Sequence, residues 1–232
     1  MLRMHEDGLI QLPPPLKPSN NETRRAAIAI TSATDPQDPK ESTLKDLGKI
    51  ELKVVSSTTE SRLWNEYVHR YHYLGYQSLP GAQLRYIARV NDQVIALLGF
   101  GAAAWKTAPR DRFIGWSSQQ RAVNLHLVVN NARFLILPWI KVPHLASKLL
   151  AMAARRISGD WETQYNYRPV LLETFVETAR FAGTCYRAAN WTHHGNTQGR
   201  GKLDVHHRND KPVKSVWTYP LQKNAIQLLR TG

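Results

Sequence analysis

One stretch limits the fold more than any other. From Phe113 to Gly201 the chain reads FIGWSSQQRAVNLHLVVNNARFLILPWIKVPHLASKLL, then LLETFVETARFAGTCYRAANW, then GNTQGRG. Short apolar and β-branched runs alternate there with helical periodicity, in the order strand, Asn-Asn-Ala-Arg turn, helix, strand, helix, glycine-rich basic loop. Strands that alternate with helices build an α/β layer structure, with the loops at strand ends free to form a site.

Periodicity predicts the remaining elements. Lys49–Val55 alternates as a first strand, and Leu84–Val90 and Val94–Phe100 flank Asn91-Asp92 as a hairpin. Gly99 and Gly101 mark a bulge or a close approach of another group to the backbone. Ser61–Tyr71 carries apolar or aromatic residues at 63, 64, 67, 68 and 71, a helical face ending at Gly75. Leu125–Val129 and Phe134–Leu137 are two strands, or one strand broken by a bulge at Asn130-Asn131. Val142–Ile157 is a helix with Leu145, Leu149, Met152 and Ile157 on one side and Arg155-Arg156 in its last turn. Val170–Val176 reads as a buried strand, Glu177–Arg187 as a short helix, residues 192–211 as loop, and Lys214–Tyr219 as a last strand. Upstream, prolines at 13, 14, 15, 18, 36 and 39 interleave with small polar residues that offer little apolar area against the ordering entropy. Residues 1–47 therefore read as a disordered Pro-rich arm and 48–232 as one mixed α/β domain.

Charge is unevenly placed. The net charge is +13, yet residues 1–50 hold seven basic and seven acidic residues and sum to zero. Residues 121–232 hold 16 basic and 6 acidic residues. Such a body attracts a polyanion, which makes nucleic acid the expected partner. Cys185 is the only cysteine, so no internal disulfide forms. No run reaches the ~18 apolar residues of a membrane span. The expectation is a soluble, cytoplasmic protein without a membrane partner.

The strongest functional pattern is GNTQGRGK at 195–202, whose glycines let backbone approach a phosphate while Arg200 forks onto it. Arg208, Lys211 and Lys214 continue the basic strip, and Trp191 precedes it as a stacking platform. With Lys202, Arg121, Arg133 and Lys148, these are the candidate nucleic-acid contacts; for Trp191 core packing is the competing reading. Glu173 sits amid apolar residues in VLLETFVE, where a carboxylate is costly unless paired. It is a candidate ligand of Mg²⁺ for phosphodiester hydrolysis, or one half of an internal salt bridge. Cys185 is a candidate nucleophile beside His193 or His194, or a small buried hydrophobe. One cysteine and no matching histidine spacing give no zinc site.

The order hairpin, strand, helix, strand, helix, strand resembles the GNAT-like N-acyltransferase fold. That resemblance implies a glycine-rich turn before the central helix, holding the pyrophosphate of acetyl-CoA. The matching stretch, LPWIKVPHLASKLL at 137–150, has none of those glycines, and Pro143 lacks an N–H. Tyr73-Leu74-Gly75, Gly115-Trp116, NNARFLILP, LASKLL, LLETFVE, GTCYRAANW and GNTQGRG together resemble the DruA family, over roughly residues 60–220. The resemblance implies an anti-phage (Druantia) or transposon-linked setting, favours DNA, and admits a helicase or transposase partner. Three readings stand: a nucleic-acid-binding protein, a metal-dependent nuclease using Glu173, and an acyl-CoA-dependent N-acyltransferase.

Overall fold

The computed structural model describes residues 8, 9, 11, 28–199 and 211–231. The main sheet has seven strands: β2 (Glu51–Val54), β3 (Gln83–Val90), β4 (Gln93–Ala102), β5 (Val128–Ile136), β7 (Leu171–Glu177), β8 (Thr192–Asn196) and β9 (Lys214–Pro220). They lie in the order β2-β3-β4-β5-β7-β9-β8. All neighbours are antiparallel except β5 and β7. A separate two-residue pairing joins β1 (Lys40–Glu41) to β6 (Ile140–Lys141). The helices are α1 (Thr58–Tyr71), α2 (Ala108–Ile114), α3 (Ser118–Asn124), α4 (Leu145–Tyr165), α5 (Thr184–Ala188) and α6 (Ala225–Leu229). This mixed α/β sheet has the GNAT-like strand and helix order expected from the sequence. No helix among the described residues is long and apolar enough to cross a membrane.

Local chemistry explains the elements. Asn91 and Asp92 take φ of 47° and 66°, so the two-residue hairpin turn matches the right-handed twist of β3 and β4. Ser57 caps α1 by accepting from Glu60 N–H, and Ser117 with Gln120 forms a reciprocal capping box on α3. Adjacent residues of β3 reach opposite helices: Arg85 donates to Asn65 on α1, and Tyr86 donates to Asp160 on α4. The two long helices therefore cover opposite faces of that half of the sheet. The same alternation operates further along. Val129 and Leu172 join the main core with Leu149, Ile157 and Trp161 of α4, while Val128 and Leu171 join a smaller core with Ile114, Trp116 and Leu229.

Three boundaries differ from the sequence reading. Helix α4 runs to Tyr165, so Arg155 and Arg156 lie mid-helix; it stops at Asn166, whose φ of 61° is the left-handed cap. The helix expected over 177–187 shrinks to Thr184–Ala188: a single turn closes on Glu177 O, and Gly183, at φ 70°, breaks the run before α5. The loop expected over 192–211 begins with an edge strand, β8, which the polar run THHGN conceals from any apolar pattern. Residues 200–210 lie outside the described residues, as does most of the arm.

The arm boundary expected at 47 falls inside folded structure. Glu66, buried on α1, accepts from Thr31 N–H and from the hydroxyls of Thr31 and Thr34. Arg70 pairs with Asp35 at 2.9 Å, β1 pairs with β6, and Leu47 is buried. A buried carboxylate that collects several donors holds the strap in place. Glu66→Ala removes those bonds, so amides of residues 31–35 should exchange with solvent at least about tenfold faster, with β3 and β4 unchanged. Hydrogen exchange by mass spectrometry reads this, and equal rates would mean that other contacts hold the strap.

Candidate functional site

Where β5 meets β7 the sheet opens. Their parallel pairing lasts only from Val128↔Leu171 to Asn130↔Glu173. On its other side β5 carries a bulge, for Gly99 faces Arg133 while Phe100 faces Asn131, leaving Ala132 as the extra residue. The Asn131 amide nitrogen donates to Gly99 O and Arg133 O, filling gaps that the bulge leaves in the ladder. Asn131 Oδ1 accepts from Tyr186 on α5 at 2.9 Å, and Thr174 on β7 donates to Asn131 O. Asn131, from the Asn130-Asn131 pair placed by sequence at a turn or bulge, is the tie across the opening. Gly99 leaves little room beneath it, since a Cβ there would stand 3.0 Å from the Trp64 ring and 3.2 Å from Arg133 and one of them would have to give.

The strands diverge into a pocket of about 710 Å³, within the ~300–1,000 Å³ of small-molecule sites. Its lining includes Arg133, Arg180 and Lys214 and, among the described residues, no acidic residue. Arg133 is 9% exposed, donates from Nη1 to Ala132 O, and leaves Nε unpartnered. Among the described residues it has no ion-pair partner. Burial lowers its pKa, and burial with the Arg133 charge pushes His72 down to about 4, so His72 is neutral at pH 7. Asn130 Oδ1, also on the pocket wall, is buried without a partner. At the mouth, Tyr73 and Phe181 are exposed and meet edge to face at 5.4 Å, with the Arg180 guanidinium 5.2 Å from the Tyr73 ring centre.

The residues expected to act scatter. Arg133, Lys214 and Cys185 line this pocket. Lys148 lies in a smaller groove of about 330 Å³ with Arg155, Asn190 and Tyr219. Arg121 sits instead near Asp111, 3.5 Å away, and over Trp105. Lys211 follows the undescribed segment, its N–H bonded to Gly199 O; Arg200, Lys202 and Arg208 lie outside the described residues. Trp191 is 4% exposed and packs against Tyr186 and Tyr219, so it is core and offers no platform. His72, Tyr73, Arg180 and Phe181 were missed as site residues. Only the Tyr73-Leu74-Gly75 motif hinted at any of them.

Glu173 is fully buried and engaged. One oxygen accepts from Ala104 N–H and the other pairs with Arg110 at 2.8 Å. Arg110, itself fully buried, also forks onto Asp111 Oδ1 and donates to Ala104 O. The carboxylate is half of an internal ion pair, the salt-bridge alternative of its two sequence readings. Among the described residues no three His, Cys, Asp or Glu side chains converge for a metal. Burial raises the Cys185 thiol, opposite to the shift a nucleophile needs, and among the described residues it bonds to no imidazole.

The GNAT-like order implies an acyl-CoA, and residues 137–144 do not fit its pyrophosphate. They contain no glycine, Pro143 has no N–H, and Ile140–Lys141 is engaged in pairing with Lys40–Glu41. Helix α4 starts from His144 at φ 63° with no side-chain cap. This stretch therefore lacks the cradle of backbone amides that a pyrophosphate needs.

The sequence profile of the family described as Druantia protein DruA matches residues 3–209. No curated protein matches the chain. Among solved structures, the fold is similar to a Drosophila melanogaster polyamine N-acetyltransferase at 9% identity, covering 74% of this chain and 100% of that one with a TM-score of 0.47. A Staphylococcus aureus N-acetyltransferase follows at 13% identity, 75% and 99% coverage and a TM-score of 0.44. A Bacillus subtilis acetyltransferase solved with CoA gives 9%, 75% and 100%, and 0.44.

Two outcomes follow from the buried charges. Arg110→Met strands the Glu173 carboxylate in the interior and should cost about 3–5 kcal/mol in urea unfolding, while Glu173→Gln, which leaves Arg110 on Asp111, should cost less. The double variant should recover part of that loss, and strictly additive losses would mean that the pair is uncoupled. For His72, the folded value of about 4 lies below its ordinary 6.5, so the fold favours the neutral ring. Its contribution is complete above pH 6.5 and drains as pH falls from 6.5 to about 4. Comparing the melting temperature of His72→Gln with wild type across that window should show a flatter acid limb in the variant. Parallel curves would place the imidazole in solvent.

Proposed function

The chain belongs to the DruA family, and from that membership we propose that it is a nucleic-acid-binding protein of an anti-phage defence system, with DNA as its partner. The observation that carries the reading is the set of cations left without acids. Arg133, Lys148, Arg155, Arg187, Lys211 and Lys214 form no ion pair among the described residues, while Arg110, Arg121, Arg156, Arg168 and Arg180 do. Cations that the protein does not neutralise internally are available to phosphates. Lys148 and Arg155 share one groove, and Lys211 and Lys214 lie just before and at the start of β9, following the basic sequence at 200–210. Association with a helicase or transposase, and location in the cytoplasm, belong to the same proposal and follow from the family's setting.

The nuclease alternative is not carried further, since Glu173 is closed off by Arg110. Acyl transfer keeps one favourable observation, the pocket between β5 and β7, and lacks the pyrophosphate turn. Lys148→Ala with Arg155→Ala, and separately Lys211→Ala with Lys214→Ala, should each weaken DNA binding. Each should reduce the slope of log affinity against log salt by about one to two units. Fluorescence anisotropy on single- and double-stranded DNA at several salt concentrations measures this, with products run on a gel in Mg²⁺. Unaltered affinity and slope in both variants would remove these surfaces from the reading, and cut products would reopen the nuclease.

A further inference from the structure

We propose that the pocket between β5 and β7 holds one nucleotide unit, its phosphate on Arg133 and its base stacked at the Tyr73–Phe181 mouth. The inference rests on the nucleic-acid reading and assigns a ligand to a site which that reading leaves empty of role.

A buried guanidinium is costly unless an anion or several acceptors face it. Arg110 and Arg133 show the contrast within one molecule. Arg110 is fully buried and collects Glu173, Asp111 and a backbone carbonyl. Arg133 is nine-tenths buried and, among the described residues, has one carbonyl and keeps Nε free beside a pocket whose lining holds no acid. His72 cannot compensate it: neutral at pH 7, its Nδ1 is taken by Leu74 N–H. No anion among the described residues faces it, and the partner assigned to it is one supplied from outside.

The rest of the pocket says what the anion is attached to. Leu79, Phe134 and Val176 line it, so a bare inorganic ion would leave most of the cavity unfilled. Phe181, 50% exposed, and Tyr73, 39% exposed, lie at the mouth next to Arg180. Aromatic faces beside cations are how bases of single strands are held. Asn130 Oδ1 adds an unpartnered acceptor for a base or sugar donor. A planar, polar-edged ring carrying a phosphate satisfies all four features together. It reaches the site from two sources, a free mononucleotide or a nucleotide turned out of a bound strand.

The test uses the full 232-residue chain. Calorimetry with deoxyadenosine monophosphate and with deoxyadenosine reads the free source. A single-stranded oligonucleotide carrying 2-aminopurine reads the strand source through quenching on stacking, with total DNA binding followed separately by anisotropy. Arg133→Met should abolish nucleotide binding or quenching while leaving the melting temperature equal to or above wild type, because it deletes an uncompensated buried charge. Phe181→Ala, at an exposed position, should weaken either signal about tenfold. Deoxyadenosine, without the phosphate, should bind at least about tenfold more weakly than the monophosphate. Binding of the monophosphate assigns the free source; quenching without it assigns the strand. DNA binding with neither signal overturns the pocket assignment and leaves the nucleic-acid reading standing. Absence of DNA binding overturns that reading, and the monophosphate arm then decides the pocket alone. Nucleotide binding unchanged in Arg133→Met, or binding of acetyl-CoA with no response to either nucleotide probe, also overturns the assignment.

Discussion

The structure depends on ending the contact between β5 and β7 after three residue pairs. Two devices set that limit. The last pair contains Glu173, locked by the fully buried Arg110 from α2, which fixes β7 against the segment leaving β4. The next residue on β5, Asn131, enters the bulge at Ala132 and ties the diverging strands through Tyr186 and Thr174. A buried pair of opposite charges is rigid because neither partner tolerates separation in a low dielectric. A bulge turns the strand and re-aims the side chains beside it. Together they hold the sheet open where a regular ladder would close it, and Arg133 is delivered to the wall of the resulting pocket.

The same comparison of arginines separates structure from function. Arg110 and Arg121 are both tied to Asp111, so one acid serves two cations and positions the α2–α3 corner. Arg133 receives nothing comparable. Among the described residues the fold commits the buried Glu66 and Glu173, with the partly buried Asp111, to the strap at 31–35 and to that corner, and the buried Glu177 to Arg180. What is left over is a basic surface and a basic pocket. The glycine-rich turn that the GNAT-like order implies is replaced by LPWIKVPH, part of which pairs with β1. The architecture and the ligand chemistry are thus separable in this chain.

Much of the fold was legible. The β3–β4 hairpin, α1, the body of α4, β7 and β9 each carry a period, a cap or a turn that local physics reads directly. The strap at 31–47 was not, because its order comes from Glu66 and β6, far away in sequence, and its own composition is that of a linker. Nor was β8, whose THHGN has no apolar face and is held at the sheet edge by β9. At the site, Arg133, Lys214 and Cys185 were named, and the aromatic mouth at Tyr73 and Phe181 was not. Those two rings sit 108 positions apart, and no local pattern marks two distant exposed aromatics as neighbours.

By itself the sequence determined the alternation of strands and helices, the places where turns and caps fall, and the excess of cations in residues 121–232. These rest on side-chain period, backbone freedom and charge, all of which act locally or sum over the chain. Only the tertiary structure decided which charges are internal. Glu173 and Arg133 both look like buried charges in apolar strands, yet one is matched by Arg110 and the other is left facing a pocket. The energy of a charge is set by what stands within a few ångströms of it, and that company is assembled by strands and helices that meet only when the chain folds.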